Sequence, residues 1–140
     1  MGRAGSARLG VAAGSVGSGA FLVETAVDDA EERETFGKPP IERQGISLPI
    51  AEVATDVERT RQLYRDAAWK ADNGEEARRE VAMAKLSAAT LERCAAEVAL
   101  QVHGGTGYSR RQAIEERFRP SRGEAAHRGH RRDANADHRP

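Results

Sequence analysis

An all-α fold, in the form of an up-down four-helix bundle, is what this sequence predicts. Three long stretches space their apolar residues three and four apart, each stretch closes on a strong helix stop, and the connectors between them are short. The apolar residues are mostly Ala, Val and Leu, which let helices approach closely.

The first stripe runs through Leu9, Ala12 or Ala13, Val16, Ala20, Val23, Val27 and Ala30, one face of a helix. It should end near "TFGKPP", where Gly37 can take a left-handed cap conformation and Pro39 and Pro40 cannot continue the turn. The second runs through Ile46, Ile50, Val53, Val57, Tyr64, Ala67 or Ala68, and Ala71 to the "DNG" stop at 72–74, with Pro49 at a first-turn position or a kink. The third takes Val81, Ala84, Ala88, Leu91, Ala95, Val98 and Val102 and stops at the glycines of "HGGTGY". A fourth, short helix is expected near 110–118. With aromatics at only 4% the core is thin, which predicts support from another domain or another copy.

At 140 residues the chain supports one helical domain, expected over 1–118, and a disordered basic tail over 119–140. Lys plus Arg and Asp plus Glu are 22 each, so no global field draws in nucleic acid, an anionic membrane or a strongly charged substrate. The balance hides a basic end: from Arg117 onward there are seven arginines against three acids. Cys94 is the single cysteine; it cannot pair within the chain, and it reads as a buried core thiol in a reducing, cytoplasmic setting. The N-terminus resembles a signal peptide in having arginines before small and apolar residues. Gly10, Gly14, Gly17 and Gly19 interrupt it, however, and no uninterrupted apolar run approaches the ~20 residues of a membrane span.

Three strings carry a family resemblance: "EERETFGKP" at 31–39, "ERQGISLPIAEVATDVERTRQLYRDAAW" at 42–69 and "QVHGGTGYSRRQAIEERF" at 101–118, with "RLGVAAGSVG" at 8–17 before them. In this order they resemble the C-terminal helical domain of acyl-CoA dehydrogenases over roughly residues 7–119. The resemblance implies a flavoenzyme of three domains, assembled as a dimer or tetramer, of which this chain carries the last. It implies removal of two hydrogens from the α and β carbons of an acyl-CoA thioester, with a carboxylate taking the α proton and FAD taking the β hydride. It further implies that Arg33, Thr35 and Phe36 reach FAD held mainly by a neighbouring subunit, that Gln44, Gln101, Gly104 and Gly105 are further contacts to FAD, and that Arg8 lies near the thioester end of the acyl pocket.

The residue chemistry can be weighed separately. Arg33 and Thr35 supply a planar cationic fork and a hydroxyl that suit phosphate oxygens; the plain alternative for Arg33 is an i,i+4 pair with Asp29. Glycines at 104–105 let backbone approach a dinucleotide and offer N–H groups, while the plain alternative is a helix C-cap with His103 at the negative end of the dipole. Both can hold in one turn.

The family's base is a Glu in a Tyr-Glu-Gly-Thr signature after the fourth helix begins, and no such string is present. Some members place the Glu on the first helix instead, where this chain has Ala7, so neither position holds a catalytic carboxylate. The tail explains the loss. With suitable wobble bases, "HRGHRRDANADHRP" read one base later yields Thr-Glu-Gly-Thr-Asp-Glu-Met-Gln-Met-Arg-Ile-Ile-Ala, the family's ending. The wobble bases are free choices, but the observed residues dictate nearly all the first bases. The expectation is a one-base shift close to Arg119 or Pro120 that removed the base.

Two other classes compete: a helical oligomerisation module without catalysis, and a basic arm for nucleic acid. The arm would use Arg122, Arg128, Arg131 and Arg132, but no aromatic interleaves them for stacking. His127, His130 and His138 match no standard metal spacing, and no metal is expected.

Overall fold

In the computed structural model, residues 3–105 are described, with side-chain surroundings from Gly5 onward. They form three long helices, α1 (Arg3–Glu32), α2 (Gln44–Asp72) and α3 (Arg78–His103), with a short 3-10 turn at Pro40–Glu42. The expected fourth helix, the tail and its histidines lie outside the described residues.

The direction of each helix follows from what it buries. Leu9 and Ala12 of α1 cluster with Ala67 near the end of α2 and with Val81, Ala84 and Ala88 at the start of α3. Leu22, Ala26 and Ala30 cluster with Ile50, Val53 and Val57 of α2 and with Leu91, Ala95, Ala99 and Val102 of α3. α1 and α3 therefore run the same way and α2 runs back between their ends, an up-down-up arrangement in which α1 and α3 share the largest interface.

That interface is close because its residues are small. Ala12, Ala26, Ala30, Ala84, Ala96 and Ala99 are fully buried, and a β carbon on Gly19 would lie 3.1 Å from Cγ of Leu91. Beyond residue 20 the buried row of α1 is Leu22, Ala26 and Ala30, while Ala20, Val23 and Val27 are half-buried and pack against its edge. Residues four apart drift slowly around a helix of 3.6 residues per turn, so the row shifts sideways along its length. Cys94 is likewise half-buried at the edge of the core, a free thiol.

Two polar pairs tie the helices together within the bundle. Ser15 donates to Glu92 Oε2 at 2.8 Å, and Thr60 and Ser87 share a hydrogen bond of 2.8 Å that ties α2 to α3. By length and composition α1 could cross a membrane; one face of it is buried in the bundle, while Val11 and Phe21 are exposed. Pro49 lies in the second turn of α2 and not the first; its missing N–H removes the donor that would serve the Gly45 carbonyl. α2 gives way to α3 at Asn73 and Gly74, the glycine at φ 75°.

Candidate functional site

The end of α1, the start of α2 and the end of α3 meet at one pole of the bundle. Gly45, Ile46 and Pro49 of α2 face Glu97, Val98, Gln101 and Val102 of α3 across a shallow groove of about 170 Å³. Arg33, just past α1, donates from Nη2 to the Val102 carbonyl at 2.7 Å.

α1 stops at Glu32, before the glycine and prolines predicted to stop it. Thr35 and Lys38 then pair their backbones, Thr35 N–H to Lys38 O at 3.1 Å and Lys38 N–H to Thr35 O at 3.3 Å. The turn between them holds Phe36 at φ 51° and Gly37 at φ 78°. Two positive φ values in a two-residue connection are the mark of a type I′ turn. Gly37 is thus left-handed as expected, but as a turn residue and not as the helix cap. For Phe36 the conformation is costly, and its ring is fully exposed.

Arg43 braces this turn. It donates to the Thr35 hydroxyl and carbonyl, and its guanidinium carbon lies 5.6 Å from the centre of the Phe36 ring. The sequence reading did not single out Arg43; the signal was its place beside Gln44, just after the two prolines. Thr35 is therefore half-buried with a partner already on its hydroxyl, and Gln44 and Gln101 are exposed.

Arg33 makes the predicted pair with Asp29, Nη2 to Oδ2 at 3.4 Å. It reaches further than that pair, because the Val102 bond joins it to α3. Gly104 caps α3 at φ 58° and its N–H bonds the carbonyls of Gln101 and Leu100; Gly104 and Gly105 are exposed. His103 is 2% exposed, with Nδ1 2.8 Å from the Ala99 carbonyl.

Six of the expected contact positions, Arg33, Phe36, Gln44, Gln101, Gly104 and Gly105, thus share one pole with Thr35. Arg8 and Ala7 do not: both are exposed on the first turns of α1, and 25 residues of helix at 1.5 Å each put Arg8 about 37 Å from Arg33. The gathered groups, a guanidinium, two carboxamides, two glycine backbones and an open aromatic face, are the donor types that suit a dinucleotide. Arg33 Nε is buried and has no hydrogen-bond partner among the described residues. Among the described residues, no three His, Cys, Asp or Glu side chains converge to hold a metal.

Fold and site together define a helical-bundle domain with a polar pole where the end of α1, the start of α2 and the end of α3 meet. The family model "Acyl-CoA dehydrogenase, C-terminal domain" matches residues 1–131, and the chain belongs to that family of FAD-dependent oxidoreductases. An acryloyl-CoA reductase (NADH) of Anaerotignum propionicum is 37% identical over 83% of this chain and 29% of its own length. The structure of butyryl-CoA dehydrogenase from Megasphaera elsdenii superposes with a TM-score of 0.80 at 31% identity, over 82% of this chain and 30% of that one. PigA, solved with FAD and proline, superposes at 0.79 with 29% identity over 83% and 31% of the two chains. The chain therefore spans about 30% of the length of the relatives it matches.

Proposed function

We propose that this bundle is the part of an acyl-CoA dehydrogenase that grips FAD bound mainly by a neighbouring subunit, in a homo-oligomer acting on an acyl-CoA thioester in the cytoplasm. The observation that carries the reading is Phe36. A large apolar ring is held in a costly backbone conformation, braced by Arg43, and left fully exposed by the described residues. Such a residue is explained by a surface that covers it from outside.

The chemistry that bound FAD would supply is a hydride acceptor for the β carbon. For its part the chain uses Arg33 to meet phosphate oxygens and Phe36 to cover an apolar face of the dinucleotide. Thr35 holds the turn through Arg43; Gln44 and Gln101 offer amide donors and acceptors; Gly104 and Gly105 leave room for close approach. Arg8 serves the distant, thioester end of the pocket. The helical domain covers 1–118, and 119–140 is an out-of-frame basic tail.

No carboxylate stands at either family position for the base, so the 140-residue chain is read as inactive in α-proton removal. Restoring the frame after Arg119 brings back the Glu-Gly-Thr string. Resequencing the gene around that codon, and assaying acyl-CoA oxidation by the chain as written and with the frame restored, tests this. Unaided oxidation by the chain as written would refute the loss of the base.

A catalytically silent assembly module is the second reading, favoured by Leu48, Trp69 and Leu86, all more than half exposed. Purification separates the two. Flavin absorbance that stays with the chain, and is lost in Arg33→Ala and Phe36→Ala, supports the cofactor grip; a stable colourless oligomer supports the module.

A further inference from the structure

His103 is the most deeply buried polar group at the site pole, 2% exposed, and the proposed chemistry does not use it. The Ala99 carbonyl can only accept, so at 2.8 Å from it the Nδ1 of His103 carries the hydrogen. The other nitrogen, Nε2, faces Asp29 Oδ1 at 4.0 Å. Asp29 Oδ2 is buried with no hydrogen bond among the described residues and lies 3.4 Å from Nη2 of Arg33. The same Nη2 donates to the Val102 carbonyl at 2.7 Å. One carboxylate on α1 thus stands between a buried imidazole on α3 and the guanidinium at the mouth of the site.

We propose that Asp29 and His103 are positioning residues for Arg33, an inference that rests on Arg33 as a phosphate contact. The imidazole is locked to its own helix by Ala99 and fills the space behind Asp29. Asp29 and the Val102 carbonyl then both hold the guanidinium at Nη2, from α1 and from α3, and the part of the side chain that is still accessible, 37%, is presented outward. A planar fork aimed in advance loses less freedom when it meets a phosphate than a swinging one. The placement is specific in sequence terms: Asp29 precedes Arg33 by one helical turn, and His103 follows Ala99 by one turn.

The test uses the whole 140-residue chain labelled with 15N-arginine. Arg33 is assigned through Arg33→Lys, and rotation and solvent exchange of its guanidinium N–H groups are followed by NMR. Asp29→Asn, nearly isosteric, and His103→Phe, which keeps a ring but no nitrogen, should each speed those motions by about fivefold or more while helicity is unchanged. Asp29→Glu should restore part of the slow behaviour. In parallel, FAD and inorganic pyrophosphate are titrated onto each variant. Asp29→Asn should weaken binding about fivefold in the unaltered chain and cost nothing further once Arg33 is Lys, since Asp29 acts through Arg33.

An Arg33 signal indifferent to Asp29→Asn, or binding losses that simply add, overturns the proposal. If neither ligand binds the unaltered chain while the Arg33 signal responds as expected, the phosphate reading falls and the hold on Arg33 is supported. The NMR response and the titration therefore fail separately.

Discussion

Gly17 and Gly19 stand near the middle of α1, about four turns from its start and two residues apart, and replacing each by alanine should move stability in opposite directions. In a helix interior alanine is better than glycine by about 1 kcal/mol. A β carbon at position 17 would meet nothing within 4 Å, so Gly17→Ala should keep that gain, raising Tm by about 4 °C. At position 19 the new carbon would lie 3.1 Å from Cγ, 3.2 Å from Cδ2 and 3.5 Å from Cδ1 of Leu91. Leu91 is 2% exposed and lies within the main core cluster, so it has to give at its branch point rather than at a free tip. Overpacking of that kind costs about 1–3 kcal/mol, and after the propensity gain Gly19→Ala should destabilise by about 1 kcal/mol. The two variants should then differ by about 2 kcal/mol, or roughly 8 °C, in thermal and urea melts followed by circular dichroism at 222 nm. Leu91→Ala should cost about 2–5 kcal/mol alone, and in its background Gly19→Ala should become stabilising, because the added methyl enters space that the leucine has left. If Gly19→Ala stabilises the unaltered chain as much as Gly17→Ala does, the close α1–α3 approach is wrong.

Phe36→Gly should leave Tm unchanged or slightly raised: relief of a positive φ, about 1–2 kcal/mol, outweighs an exposed ring contact with Arg43 of about 0.5–1 kcal/mol. The same variant should lose any flavin retention, and a Tm drop of several degrees would mean that the ring packs on its own chain. Thr60→Val should cost about 1 kcal/mol in urea melts, since it removes the 2.8 Å bond to Ser87 from a residue that is 1% exposed; a stabilised variant would show that the bond contributes nothing. Glu80 is held below its usual 4.5, first by its own backbone N–H in the first turn of α3 and then by Lys70, and Lys70 is held above its usual 10.5 by Asp66 and Glu80. With a lowered folded-state value, the contribution of Glu80 is present above its unfolded-state pKa and lost as pH falls through the folded one; that of Lys70 is present below its unfolded-state pKa and lost as pH rises through the folded one. Glu80→Gln should therefore melt below the unaltered chain at neutral pH and converge with it in acid, and a gap that persists in strong acid would refute the linkage.

Helices were readable because α2 and α3 repeat one kind of residue at one spacing. Val53, Val57, Ala67, Val81, Ala84, Ala88, Leu91, Ala95 and Val102 all belong to the expected stripes and all are buried. In α1 the expected stripe leaves the buried row at Ala20, Val23 and Val27 and rejoins it at Ala30, because those three flank Leu22 and Ala26 with similar side chains, and only the partner helix decides between them. Arg33 could be read as a pair with Asp29 because that contact is local. Its bond to Val102, 69 residues away, could not, and neither could the approach of His103 to Asp29. Long-range polar contacts leave no period in a sequence. The type I′ turn was hidden by its own exception: glycine at 37 announces a positive φ, but phenylalanine at 36 argues against one.

The local rules that this chain breaks are concentrated on surfaces that the described residues leave open. Gly10, Gly14 and Gly17 lie within α1, exposed, with nothing near their missing β carbons, and together they forgo about 2–3 kcal/mol that alanines would supply. Phe36 holds a conformation that glycine would take freely. Where the chain packs on itself, as at Gly19 against Leu91, smallness has a visible reason inside the bundle. On the open face of α1 and at the Arg33 pole it has none there, and departures from local preference that are unexplained within a fold mark surfaces shaped by something else. The costs therefore point outward, to a neighbour that comes close to the α1 backbone and to one that covers Phe36. The same inference explains why three alanine substitutions at positions 10, 14 and 17 should stabilise the isolated chain and yet weaken its assembly with a partner. Stabilisation without any loss of assembly would remove the reason for the glycines.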